Sequence, residues 1–303
     1  MRLCMWACAP HARTCPCERG QDQFYERAVK MPNSYFANDY RHVYGHPQLA
    51  ATRATDDSAQ VRCGRRRHCF TDAQGVPHNG AILANFGQMY KIQPQLFALW
   101  CKALRGEPNA SLWLLKFPAA AAPMVQAHFA KRHMPPHQLV LSELLPMDRH
   151  LSVKGLATLA LDTLTFNGHT TGSDTLYAGV PLVSLPGDAT PARAGASMAM
   201  ALDEPTWLVR TLDEYFELVR RYVVAHAKPA GSCKQRQRML LARQRLHQKL
   251  ISSPLFDNER WTRDWERALR LIWDVYRSRN QKGAVRAHEG AAHHVVVGSL
   301  ALS

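Results

Sequence analysis

Short apolar runs recur through the middle of this sequence, and stretches with helical spacing lie between them. Residues 81–86 (AILANF), 111–117 (SLWLLKF), 138–142 (QLVLS), 159–162 (LALD) and 181–185 (PLVSL) are too short for buried helices and suit buried strands. They alternate with helical patterns at 94–104, 119–133, 149–157, 173–178 and 193–201. In the first of these Leu96, Phe97, Trp100, Cys101 and Leu104 fall on one face, and Pro94 suits a helix start. Strands that are apolar throughout, alternating with helices, predict an α/β fold: a parallel sheet covered by helices on both faces. In such a sheet ligands bind beyond the carboxyl ends of the strands. That directs attention to residues 85–91, 144–150 and 163–174. From residue 212 the chain turns helical, at 212–225, 235–250 and 260–277. Residues 31–80 read mostly as loop, with 34–36 extended.

Composition narrows the class. At 303 residues, 46% hydrophobic and 20% charged, the chain suits one large domain or two small ones. It holds no apolar stretch long enough to span a membrane and no repeat of 20–50 residues. Lys plus Arg number 38 against 24 for Asp plus Glu, a net +14, which favours anionic partners without choosing among them. Basic clusters lie at 65–67 and 234–245. Of eight cysteines, Cys4, Cys8, Cys15 and Cys17 crowd the first 20 residues. They lack the paired spacing of a structural zinc knuckle, and no apolar run there resembles a secretory signal. Residues 1–30 are expected to be a disordered leader, and no metal is expected.

The densest chemical signal is Asn167-Gly168-His169-Thr170-Thr171-Gly172-Ser173-Asp174, after the strand ending at Asp162. A helix beginning near Thr171 would point free N–H groups at an anion, and Gly168 and Gly172 allow close backbone approach. Thr170, Thr171 and His169 add side-chain donors. The same residues also suit an ordinary capped helix in a turn. Lys91 and Gln88 follow another strand end; Lys91 suits a phosphate and Gln88 a sugar or phosphate oxygen, or both are loop residues. His150 begins a helix beyond a third strand. Arg65–Arg67 with His68 could mark a nucleic-acid patch, but no zinc-finger or RNA-binding signature accompanies them.

With those segments in view, NFGQMYKIQP (85–94), SLWLLKFP (111–118), LALDTLTFNGHTTGSDTLYAGVPLVSLPG (159–187) and ISSPLFD (251–257) resemble the carboxyl-terminal catalytic region of O-linked N-acetylglucosamine transferases, the SPINDLY-like glycosyltransferase family 41. MPNSYFANDYRHVYG (31–45) resembles the segment between that family's two catalytic lobes. The similarity runs over about residues 31–278. It implies a Rossmann-like donor-binding lobe of a two-lobed, GT-B type glycosyltransferase, with closing helices at its carboxyl end. The implied reaction is inverting transfer of N-acetylglucosamine from UDP-GlcNAc to Ser or Thr of nuclear and cytoplasmic proteins, without a metal or cofactor. By resemblance, Lys91 neutralises the diphosphate leaving group and Gln88 contacts the donor phosphate. His169, Thr170 and Thr171 cradle the diphosphate, with Lys91 and His169 as the catalytic pair. His150 packs on the base, and Asp174 helps hold the nucleotide.

The same resemblance divides the chain into a leader (1–30), an interlobe segment (31–80), the donor lobe (81–278) and a disordered tail (279–303). Two departures stand out. Met147 occupies the place, three residues before His150, where family members carry a nucleotide-contacting lysine. The amino-terminal lobe and its tetratricopeptide repeats have no counterpart in residues 1–30, so a single lobe is expected. Two other readings are a nucleotide-sugar-binding remnant without turnover and a GDP-fucose-using SPINDLY-type O-fucosyltransferase. A nucleic-acid-binding protein is a third.

Overall fold

The computed structural model describes residues 3–7, 27–45, 80–227, 234–281 and 295–297. Two strands come first, β1 (Leu3–Ala7) and β2 (Arg27–Met31), then a short helix, α1 (Tyr40–Tyr44). The main body alternates strictly: β3 (Ile82–Asn85), α2 (Pro94–Leu104), β4 (Ser111–Leu115), α3 (Ala122–Ala130), β5 (Leu139–Ser142), α4 (Met147–Lys154), β6 (Leu159–Leu161), α5 (Thr170–Tyr177), β7 (Leu182–Val183) and α6 (Ala194–Ala201). Helices α7 (Leu212–Ala227), α8 (Lys234–Ser252) and α9 (Asn258–Gln281) follow, and then strand β8 (Val295–Val296).

Strands β3 to β7 form one parallel sheet in the order β5-β4-β3-β6-β7. The α/β class expected from the alternation is therefore the observed one. The chain starts at the sheet's centre, builds outward through β4 and β5, then returns to β6 on the other side of β3. That reversal leaves a crevice between the carboxyl ends of β3 and β6. Leu83, Ala84, Leu112, Trp113, Leu159 and Ala160 are all buried, which is why these strands read as continuous apolar runs. The predicted face of α2 is buried as a set, and α7 packs against it through Tyr215 and Val219.

Helix α8 is tied to the sheet layer by Arg243, whose guanidinium donates to the carbonyls of Ala157 (3.0 Å) and Gly155 (2.7 Å). One member of the basic cluster at 234–245 is thus a structural residue. The turn after α5 carries Gly179 at φ +72°, the left-handed region that suits glycine at a helix end. A Cβ there would overlap the His247 ring of α8.

Some elements differ from the sequence expectation. Helix α5 begins at Thr170, earlier than 173, with its first turn closed by Ser173 N–H donating to the His169 carbonyl (3.0 Å). Helix α4 begins at Met147, earlier than 149. Residues 34–36 form no strand, and α1 was not anticipated. Strands β1 and β2 lie within the expected leader, and β8 within the expected tail. They form a parallel β1-β2-β8 sheet. Val29, Met31 and Val297 bury against Ala268 of α9, flanked by Trp261, Trp265 and Ile272. Two alternating apolar residues are too weak a signal alone; the α9 stripe that covers them lies more than 200 residues away. The rest of the leader and tail, most of the interlobe segment and the Arg65–Arg67 run lie outside the described residues. Among the described residues, no helix is long and apolar enough to cross a membrane.

Gly179→Ala is expected to destabilise the chain by roughly 2–4 kcal/mol in chemical denaturation. Adding His247→Ala should recover the steric part and leave about 1 kcal/mol from the backbone conformation. A neutral Gly179→Ala would mean that α8 does not pack on this turn.

Candidate functional site

Two loops rise from the crevice, one after β3 and one after β6. The side chain of Asn85 bridges them at the base, its Nδ2 donating to the Leu161 carbonyl (2.6 Å). Higher up, Gln93 Nε2 donates to Thr165 Oγ1 (2.9 Å). The loop after β6 is fastened from behind. Asp162 is fully buried; its Oδ1 accepts from the N–H groups of Thr163 (3.0 Å) and Gly168 (2.8 Å), and its Oδ2 from Ser184 Oγ (2.7 Å). Burial raises its pKa to about 6, opposed by those donors and by nearby Lys91. Buried Asn167 crosses the loop, donating to the Thr163 carbonyl (2.5 Å) and accepting from Gly195 N–H (3.1 Å).

These fastenings present the start of α5 to the crevice. The N–H groups of Thr170, Thr171 and Gly172 precede the helix's first internal bond and have no acceptor within the helix. Their dipole and N–H direction suit an anion. Gly168 sits close beneath; a Cβ there would meet Thr171 Oγ1 at 2.7 Å. Lys91 lines the same cavity as Gly168 and Thr171. Its ammonium lies 4.0 Å from the centroid of the Phe166 ring. Burial lowers the Lys91 pKa, and the Asp162 charge opposes that. Gln88 heads the 3-10 turn that carries Lys91, and Lys91 N–H donates to its carbonyl (3.0 Å).

His169 departs from the role expected of it. Its Nε2 lies 3.4 Å from the Pro191 carbonyl and its Nδ1 3.1 Å from the Tyr35 hydroxyl. A carbonyl accepts only, so Nε2 carries the proton and Nδ1 accepts from Tyr35. Burial lowers the ring's pKa, with Lys91 acting the same way and the Pro191 contact opposing. The ring is stacked on Phe166 at 5.0 Å. Both ring nitrogens thus have protein partners, and the donors offered to an anion are the N–H groups that follow His169.

A second cavity of about 340 Å³ adjoins the first, and Phe86 and Thr171 line both. Its walls are Trp113, Leu115, Leu144, Leu145 and Val153, and its polar end is His150, Lys154 and Asp174. Asp174 Oδ2 accepts from Lys154 Nζ (2.5 Å); Oδ1 accepts from Tyr40 OH (2.5 Å) and lies 3.5 Å from His150 Nε2. Burial raises this carboxyl's pKa, but the His150, Lys154 and Tyr40 contacts outweigh it and hold the group at about 2.

Lys91, Thr171, His150 and Asp174 are thus gathered around two joined cavities, while Gln88 lines neither. Thr170 is exposed at the first turn of α5, and its carbonyl accepts from Tyr40 OH (3.2 Å). Sequence reasoning missed Lys154, Tyr35, Tyr40 and Tyr44. The spacing of His150 and Lys154, one helical turn apart on α4, was a usable signal. The tyrosines carried none, because only tertiary packing brings residues 32–45 over α5. Among the described residues, no three His, Cys, Asp or Glu side chains are grouped to hold a metal ion.

Comparison with known proteins places this geometry. The model of glycosyl transferase family 41 matches residues 65–265. A probable UDP-N-acetylglucosamine–peptide N-acetylglucosaminyltransferase SEC from Arabidopsis thaliana is 29% identical over 85% of this chain and 24% of its own length. The Caenorhabditis elegans UDP-N-acetylglucosamine–peptide N-acetylglucosaminyltransferase is 32% identical over 67% of this chain and 17% of its own. A SPINDLY protein from Hordeum vulgare is 27% identical over 65% of this chain. The chain therefore spans a quarter or less of the first two relatives. Among solved structures, a Thermobaculum terrenum O-GlcNAc transferase mutant superposes with a TM-score of 0.64 at 21% identity, covering 90% of this chain and 45% of that one. That likeness shows the fold, a Rossmann-like α/β lobe of the GT-B type.

The Asp174 pKa generates a pH prediction. The carboxyl lies near 3.8 when unfolded and about 2 when folded, so its contribution is present above pH 4 and lost as pH falls toward 2. The stability gap between the wild type and Asp174→Asn should narrow by about 2 kcal/mol across that window. A gap that does not change with pH would mean that Asp174 is not held ionised by its partners.

Proposed function

The chain belongs to glycosyl transferase family 41, and from that premise we propose that it is the donor-binding lobe of a protein O-GlcNAc transferase. The reaction is transfer of N-acetylglucosamine from UDP-GlcNAc to Ser or Thr of nuclear and cytoplasmic proteins, with inversion at the anomeric carbon. The carrying observation is the pair of joined cavities at the switch point. One end offers a cation and a helix N-terminus; the other is an aromatic-lined slot ending in a buried carboxylate. That is the charge pattern of a nucleoside diphosphate: anionic at one end, flat and apolar with sugar hydroxyls at the other.

In this reading Lys91 and the N–H groups of Thr170, Thr171 and Gly172 meet the diphosphate. As the glycosidic bond to the diphosphate breaks, negative charge grows on the leaving oxygen. Preorganised donors aimed there stabilise the transition state more than the ground state. Thr171 Oγ1, which lines both cavities, adds a donor at their junction. Gln88 serves a phosphate oxygen beside Lys91. Asp174 accepts from nucleoside hydroxyls, and His150 packs against the base. His169 acts through its place at the helix start, with its ring nitrogens already engaged by Tyr35 and the Pro191 carbonyl. Lys91 and the helix terminus supply the neutralising charge, so the reading needs no metal.

The printed names of all three relatives carry UDP-N-acetylglucosamine, which supports UDP as the donor nucleotide in this reading. Calorimetric titration of the full chain with UDP, and with GDP as the control, tests this. Selective UDP binding is the expected result. Lys91→Ala should weaken UDP about 10- to 100-fold, and Thr171→Val several-fold, by removing donors to an anion. If both variants bind as the wild type does, the phosphate cradle is misassigned. If GDP alone binds, the donor belongs to the fucosyl branch. A folded chain that binds neither is no donor lobe.

A further inference from the structure

The Asp174 carboxylate is gripped from two chain segments, one 20 and the other 134 residues away in sequence. Lys154 belongs to α4 and Tyr40 to α1, in the interlobe segment. Lys154 Nζ meets Oδ2 and Tyr40 OH meets Oδ1, each at 2.5 Å, so each oxygen has its own donor. Both donors sit on structure that resists movement. The Tyr40 ring packs against Tyr177 (5.1 Å) and edge-on to Phe256 (5.5 Å). Lys154 is itself buried, with Nζ 5.5 Å from the centroid of the Phe86 ring. Lys154 and Asp174 both line the 340 Å³ cavity.

We propose that Lys154 and Tyr40 are positioning residues that clamp Asp174 for nucleoside hydroxyls. This rests on the nucleotide-binding reading above and adds two residues to it. A carboxylate has about four acceptor sites, and the clamp uses one on each oxygen. His150 also approaches Oδ1 (3.5 Å), which leaves an acceptor on Oδ2 for a ligand, with the carboxylate plane already fixed. With His150, Lys154 keeps the buried carboxylate ionised, and the ionised form is the stronger acceptor for hydroxyls and offers no competing donor. The groups facing Asp174 are Tyr40 and Tyr44 from α1 and His150 and Lys154 from α4. Lys154 is the ammonium among them, and it stands two turns of α4 beyond Met147.

The test uses the full chain with two probes, UDP and inorganic pyrophosphate. Pyrophosphate engages the Lys91 end and reports whether that end is intact. Tyr40→Phe removes only a hydroxyl and should weaken UDP about fivefold; Lys154→Met should weaken it about tenfold or more. Both should leave pyrophosphate affinity unchanged, and Lys154→Arg should restore most of the UDP affinity. The pH profile separates positioning from simple packing. Without Lys154 the buried carboxyl takes up a proton more readily. The ratio of wild-type to Lys154→Met affinity for UDP should therefore grow as pH falls from about 7.5 to 5.5. Should Lys154→Met fold poorly, Lys154→Met with Asp174→Asn removes both charges; it should regain stability and still bind UDP weakly. UDP affinities of Tyr40→Phe and Lys154→Met within twofold of wild type overturn the clamp. Equal loss of pyrophosphate binding also overturns it, since it makes both roles structural. A wild-type chain that binds pyrophosphate but not UDP overturns the nucleotide reading, and the clamp with it.

Discussion

A single buried carboxylate organises the site. Asp162 stands at the end of β6, where the sheet reverses, and its two oxygens take hydrogen bonds from three directions. Two come from the loop it begins and one from Ser184, just beyond β7. Its backbone carbonyl accepts from Tyr215 OH of α7 (3.0 Å). One residue thereby fixes the loop of 163–169 against two strands and a covering helix. Burial alone would neutralise such a group, and the convergent donors are what favour its charged form. Without that anchor the start of α5 would have no fixed aim, and a helix terminus stabilises an anion only within its first turn.

The net charge of +14 plays a smaller part than it first suggests. The site's own charges come as two lysine–aspartate associations, one at each end of the cleft. Lys91 feels Asp162 in the first cavity, and Lys154 bonds Asp174 in the second. In each, burial favours the neutral lysine and the aspartate opposes it. Such pairing keeps charges in a partly dry cleft, where they act more strongly than on the surface. Meanwhile Arg243, from a cluster that reads as a basic patch, turns inward and satisfies two carbonyls. A charge count cannot distinguish these uses.

Legibility followed the range of the interactions. The five strands and the helix faces were readable because burial writes a period into local sequence, as in Leu96, Phe97, Trp100 and Leu104 of α2. Residues 85–91 and 163–174 were readable as site loops because they follow strand ends. What escaped was decided at long range. Tyr35 meets His169 and Tyr40 meets Asp174, each 134 residues away. The ring of His169 looked like a free donor until Tyr35 and Pro191 were seen to occupy it. The amino-terminal strands escaped for the same reason, since their cover is α9.

Residues 32–45 therefore do more than connect. They touch the cleft three times: Tyr35 at His169, Tyr40 at Asp174 and Tyr44 edge-on to His150 at 5.9 Å. Each partner belongs to the walls on which a nucleotide would rest. A ligand that favours this arrangement of Asp174 and His150 must also favour the docked segment, because the same contacts define both. By linkage the converse holds with equal free energy: whatever steadies the segment would favour such a ligand. Three tyrosine contacts couple residues 35–44 to the walls of the cleft.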